Sequence, residues 1–253
     1  PVPNCMVFQP VLFETETYGP EAAVTIASDR LDILRAILNM SSLLGRFTYF
    51  RSKPKHLSTI LPTPIYGIFD ASGDLISTYY TIEEYRYTKA RIDDKQLSNA
   101  KYLLPLFAHN LQYPDTYYHI LGLMRLYQEA IDINSPRPAY LAMWQVLESA
   151  VTLGQERVSH REIAPRVSAL IQLDPLFRDA LKLLADLRND LVHSGEFLER
   201  SDDAFFTLKL IADYCLNSLL ALAKDFPTVH EVHDYVEYIT LGDSALERRK
   251  RVT

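Results

Sequence analysis

PLFRDALKLLADLRNDLVHSG, residues 175–195, is the stretch from which the rest of the chain is best read. Its apolar residues Leu176, Phe177, Ala180, Leu183, Leu184, Leu187 and Leu191 recur at helical spacing, which predicts an amphipathic helix over 175–194. Pro175 suits a first helical turn and Gly195 a terminator. Polar residues gather in the last turn, at Arg188, Asn189, Asp190 and His193.

Outward from this helix, the same periodicity predicts helices over 115–132, 138–153, 160–171, 202–224 and 228–239. Pro136, Pro138, Gly154, Pro175, Gly195 and Pro227 punctuate them. Short connections between such helices imply an antiparallel bundle. The residues before about 110 read differently. A long amphipathic helix is expected over 21–44, ended by Gly45, and the aromatic run Phe47-Thr48-Tyr49-Phe50 reads as a short strand. Two β-prone runs, 65–69 and 75–80, flank the turn-forming Asp70-Ala71-Ser72-Gly73-Asp74 and predict a hairpin. Thr81 and Glu84 have capping-box spacing, so a helix is expected to begin there. The fold class is therefore mainly α: a helical bundle over 113–253, preceded over 1–112 by a smaller mixed α/β region that can belong to a larger upstream domain.

Composition narrows the function classes. A chain of 253 residues that is 48% hydrophobic buries a substantial core. No uninterrupted run of about 18 apolar residues is present and the start lacks the plan of a secretory signal, so no membrane partner is expected. The absence of an initiator Met is read as a processed chain or a piece of a longer one. Cys5 and Cys215 have no paired spacing that would mark a disulfide framework or zinc site, which points to the reducing cytoplasm. A formal net charge of −6 is the reverse of what a protein gripping long phosphate backbones carries, so nucleic-acid contact must be local. Arg51-Ser52-Lys53-Pro54-Lys55 and Arg248-Arg249-Lys250-Arg251 are basic runs that can touch phosphate or simply be solvated.

Arg188 and His193 enclose four residues, a weak pattern taken alone. The chain supplies its own control in Arg51 and His56, which have the same spacing. That copy contains Pro54, which a helix interior does not tolerate. The Arg188 copy differs in its context. It lies at a helix end, Asn189 follows the Arg directly, and an upstream helix carries Ala142-Met143-Trp144-Gln145-Val146-Leu147-Glu148-Ser149-Ala150.

Together these residues resemble the HEPN superfamily, and within it the Apea-like group, over roughly residues 114–240. In that group a Trp-containing helix with a Leu-Glu core precedes a helix ending in Arg-Asn-x-x-x-His and small residues. The resemblance implies a helical bundle, a homodimer, and RNA cleavage in host defence or toxin systems, under an upstream sensor domain or regulatory protein. RNA carries its own nucleophile, a 2′-hydroxyl beside the scissile phosphorus, so proton transfer and charge stabilisation suffice. Neither metal nor cofactor is expected. Imidazole titrates near neutrality and guanidinium forks suit phosphate, which makes His193 the acid–base candidate and Arg188 the electrostatic one. Asn189 shares a helical face with His193 and can orient the ring or a phosphate oxygen. One protomer is incomplete by this reading; the family unites two helix ends across a two-fold axis.

Plainer readings stand beside these. A His near a helix C-terminus followed by Gly is also what dipole and capping rules give for a structural end. Trp144 and Glu148 read as a core anchor and a buried or interfacial hydrogen-bonding partner. His230-Glu231-Val232-His233 lacks His-Glu-x-x-His spacing and a third ligand, and reads as a solvated helix face. No phosphate-cradling glycine loop or Gly-x-Ser-x-Gly elbow is present. Gly195 stands where related toxins, paired with nucleotidyltransferase antitoxins, carry a modifiable Tyr. The expectation is a cytoplasmic endoribonuclease; the alternative is an inactive HEPN-like dimerisation or docking module.

Overall fold

Helical periodicity becomes eight α-helices among the residues that the computed structural model describes: 11–17, 19–43, 65–80, 94–133, 135–154, 158–172, 175–193 and 201–242. The order is α1 (Pro20–Leu43), a hairpin of β1 (Ile65–Phe69) and β2 (Leu75–Tyr80), α2 (Asp94–His109), a 3-10 turn (Asn110–Gln112), α3 (Pro114–Asp132), α4 (Pro136–Thr152), α5 (His160–Leu170), α6 (Pro175–His193), α7 (Ser201–Ala223) and α8 (Val229–Leu241). The expected strand at Phe47, the helix start at Thr81, both basic runs, His56 and Gly195 lie outside the described residues.

The hairpin pairs Tyr66 with Tyr79 and Gly67 with Thr78, with a register irregularity between Ile68 and Phe69. Its turn is fixed by Asp70, whose Oδ1 accepts from the Ser72 and Asp74 amides at 2.9 Å each. Gly73 takes the positive φ of 90° that the turn requires. Helix α2 has no counterpart in the sequence reading. Pro105 lies inside it and interrupts the periodic signal.

α3 packs on α4, α4 on α7, α1 on α2 and α3, and α5 on α8. One buried cluster joins Ile37 and Met40 of α1 and Leu103 of α2 to Tyr127, Trp144, Leu191, Leu219 and Val236, so residues on both sides of position 112 contribute. Helix α7 lies deep in this core. Its stretch Ala204–Ala223, inside the helix expected over 202–224, is long and apolar enough to cross a membrane by length and composition. Here its Leu208, Ile211, Ala212, Leu216, Leu219 and Leu220 are buried within the bundle. Cys215 on the same helix is buried, and burial pushes its thiol up to about 12, which makes it a packing group.

Two charged residues interrupt α7. Lys209 is 1% and Asp213 0% exposed, an i,i+4 pair with Nζ 2.9 Å from Oδ2. Burial lowers the Lys209 ammonium and raises the Asp213 carboxyl to about 6, each opposed by the partner's charge. The buried Tyr127 hydroxyl of α3 donates to Asp213 Oδ1, and Lys209 Nζ donates to the Asn39 carbonyl of α1 at 3.3 Å. From Asn39 the polar seam continues: its amide donates to Gln128, Gln128 donates to Asp132, and Arg35 closes on Asp132 at 2.6 Å. Three helices are therefore tied by one hydrogen-bonded network as well as by apolar burial.

Candidate site at the end of helix α6

Helix α6 turns Leu181, Leu184 and Leu191 into the core and leaves Ala180 and Leu187 half-buried. Leu183, assigned above to the apolar stripe, is instead 70% exposed. At about 100° per residue it lies two positions round from Leu181, off the face that Leu181 and Leu184 share. A run of adjacent leucines does not by itself say which of them point inward.

α4 holds this helix from the other side. Arg137, Tyr140 and Trp144 share one face of α4 by spacing. The buried Tyr140 hydroxyl donates to the Leu184 carbonyl at 2.6 Å, and Arg137 Nη2 donates to the Leu191 carbonyl at 3.1 Å. The same burial raises the Tyr140 phenol well above its ordinary value, keeping it a donor. Trp144 is buried, as its reading as a core anchor expects, and its indole Nε1 has no hydrogen-bond partner among the described residues. Glu148 is half-buried. The Trp144 helix and the Arg188 helix, singled out together in the sequence, are thus in direct contact.

At the end of α6 the three candidate residues separate. Arg188 is half-buried, while Asn189 and His193 are exposed. Arg188 Nη1 reaches Asn189 Oδ1 at a long 3.4 Å. Helical geometry puts Asn189 and His193 about 40° apart, whereas Arg188 and His193 are about 140° apart around the axis. The outward face bearing Asn189 and His193 also carries Lys182, which pairs with Asp179 at 3.1 Å, and the carboxylates of Asp186 and Asp190. Leu183 and Val192, 70% and 50% exposed, border it on either side.

The His230 region corrects two expectations. Only His230 lies on a solvated face; His233 is buried at 8% exposure. A third group also exists, since His230, His233 and Asp234 offer ligand atoms within 4.8 Å of one another. Arg166 of α5 decides the chemistry there. Its Nη1 lies 3.1 Å from His233 Nε2, and a guanidinium can only donate, so Nε2 accepts and the ring proton belongs on Nδ1. Nδ1 is the atom facing Asp234 at 3.8 Å and the one that would have to ligate. A permanent cation beside the ring also opposes a metal cation, where a ligating His ordinarily donates its second N–H to an acceptor. Burial and Arg166 together hold His233 below its ordinary value. This cluster reads as an α5–α8 contact.

Sequence reasoning missed Arg137, Tyr140, Arg166 and the Lys209–Asp213 pair. For the last, a signal was present: two opposite charges four apart inside the apolar run of α7. Comparison of the chain with protein-family models, curated proteins and solved structures gave no match.

Proposed function

We propose that the chain is a metal-independent endoribonuclease of HEPN type, a homodimeric effector of defence or toxicity in the cytoplasm. One observation carries the reading: the helix ending in Arg188, Asn189 and His193 is held through Tyr140 and Arg137 onto the Trp144 helix, and its last turn presents Asn189 and His193 outward. In the proposed reaction a His193 imidazole takes the proton from the 2′-hydroxyl. The O2′–P bond forms as the P–O5′ bond breaks, and His193 of the partner subunit protonates the departing 5′-oxygen. Arg188 side chains offset charge on the non-bridging oxygens. Products are a 2′,3′-cyclic phosphate and a 5′-hydroxyl. The angular separation of Arg188 from His193 within one helix supports a composite site made by two helix ends, and exposed Leu183 and Val192 supply apolar edges for that contact.

The test is incubation with RNA in excess EDTA. Cleavage should persist, leave cyclic phosphate ends, and stop when the scissile nucleotide is 2′-deoxy. Ion-dependent cutting with 3′-hydroxyl ends would refute the mechanism. A second reading, an inactive docking module, is favoured by the carboxylates of Asp186 and Asp190 beside His193 and by the net charge of −6. Stable RNA under every condition, with a dimer intact, would select it.

A further inference from the structure

The two carbonyls of α6 that α4 holds stand in different parts of the helix, and the bonds to them do different things. Leu191, which accepts from Arg137 at 3.1 Å, lies in the last turn. Carbonyls there have no intrahelical amide to accept, so that bond satisfies an orphan group. Leu184, which accepts from the Tyr140 hydroxyl at 2.6 Å, lies in the interior. An interior carbonyl already accepts the amide of the residue four places on, and that residue is Arg188. Tyr140 is therefore a second donor, on the second lone pair of a carbonyl that the Arg188 backbone already uses.

Around the axis, Leu191 lies about 20° from Leu184, Arg188 about 40° from it and His193 about 180° from it. Arg188 thus sits at the rim of the side that α4 holds, in keeping with its half-burial, and a small roll of α6 changes how far its guanidinium emerges. His193, opposite, stays outward under the same roll. Tyr140 is 0% exposed, so its ring cannot follow a displaced helix into solvent, and burial keeps its phenol protonated as a donor. We propose that Tyr140 is a positioning residue for Arg188: its hydroxyl on the Leu184 carbonyl sets the roll of α6 at which the guanidinium reaches the phosphoryl oxygens, an assignment that rests on the ribonuclease reading.

The experiment is steady-state cleavage of a single-stranded RNA in EDTA, with thermal melts alongside. It compares full-length wild type, Tyr140→Phe, Arg188→Ala, the double variant and Val236→Ala, a buried truncation on α8. Tyr140→Phe removes one hydroxyl and leaves the Arg188 amide its acceptor, so it should melt within about 2–4 °C of wild type. Below the melt its kcat should fall about 10- to 100-fold at unchanged KM, because a misplaced group costs the transition state and spares the bound substrate. In the Arg188→Ala background the same substitution should cost nothing further, as a residue acting through Arg188 requires. Val236→Ala should melt at least as low and keep the wild-type kcat. A bond that serves only packing predicts wild-type kcat in folded Tyr140→Phe, or the same loss in both backgrounds. Either result with a cleaving wild type would overturn the Tyr140 assignment and leave the ribonuclease reading in place, and so would a Tyr140→Phe that does not fold, since the bond would then belong to the bundle. Wild type that cuts no RNA under any condition would overturn both.

Discussion

Replacing Asp213 by Ala should be among the most destabilising single changes in the bundle. The Lys209 ammonium would remain 1% exposed, with the Asn39 carbonyl at 3.3 Å and the Tyr127 ring 5.4 Å away as its remaining contacts in place of a carboxylate. The Tyr127 hydroxyl would lose its acceptor as well. Removing one member of a buried ion pair costs about 3–5 kcal/mol, because the survivor is an uncompensated charge in a low-dielectric interior. Domain stability is about 5–15 kcal/mol, so this is a large share of the whole. For a chain of this size each kcal/mol moves Tm by about 2–4 °C, which gives a fall on the order of 10 °C. Replacing the three groups together, Lys209→Met, Asp213→Leu and Tyr127→Phe, removes the three polar side-chain groups that would be stranded and takes from the Asn39 carbonyl only the long 3.3 Å bond from Lys209. That variant should recover most of the loss. Urea unfolding followed by circular dichroism reads both, with equal m-values confirming that the same transition is compared. An Asp213→Ala loss under about 1 kcal/mol, well below the range for broken buried pairs, would refute the reasoning. So would a triple variant no better than the single one.

Substituting Ala for His193 or for Arg188 should lower RNA cleavage by about 10² to 10⁴-fold without altering the fold, while His56→Ala leaves the rate unchanged; gel-resolved turnover on tRNA and mRNA checks this. Wild type should sediment as a dimer at micromolar concentration and Leu183→Glu as a monomer with unaltered circular dichroism; a monomeric wild type would remove the composite site. For His233 the pKa in the folded state lies below that of the unfolded chain, through burial first and Arg166 second, against the smaller opposing pull of Glu237 and Asp234. Its contribution to stability is therefore complete above about pH 6.5, the unfolded value, and is lost as pH falls below it, because the unfolded state takes up the proton first. His233→Gln keeps an acceptor for Arg166 and cannot titrate, so its urea midpoint should drop less than that of wild type between pH 7.5 and 5.5; identical drops would contradict the assignment.

Elements with strong local punctuation were legible before the fold was known. Pro114, Pro136 and Pro175 open α3, α4 and α6, and the hairpin matches the two β-prone runs around Asp70 and Gly73 residue for residue. What local pattern could not supply was the choice among neighbours. Leu181, buried, and Leu183, exposed, are the same residue type two positions apart, and only the direction of approach of α4 and α5 separates them. Helix α2 fails for a related reason. Its Pro105 reads locally as a breaker, while packing against α1 outweighs the one backbone hydrogen bond it removes. Buried charges defeat hydropathy in the opposite direction: Lys209 and Asp213 look like surface residues until Tyr127 and Asn39 arrive from helices distant in sequence.

The same division runs through the candidate site. Arg188, Asn189 and His193 are read from one short run, because a helix end concentrates its signals within a turn. The groups that decide what this end can do come from elsewhere in the chain. Tyr140 reaches Leu184 across 44 residues of sequence and Arg137 reaches Leu191 across 54. Neither contact has a local pattern, since each uses a backbone carbonyl that every residue type possesses. Their consequence is positional: α4 holds one carbonyl in the middle of α6 and one in its last turn, so the side of α6 left outward is the one that bears Asn189 and His193.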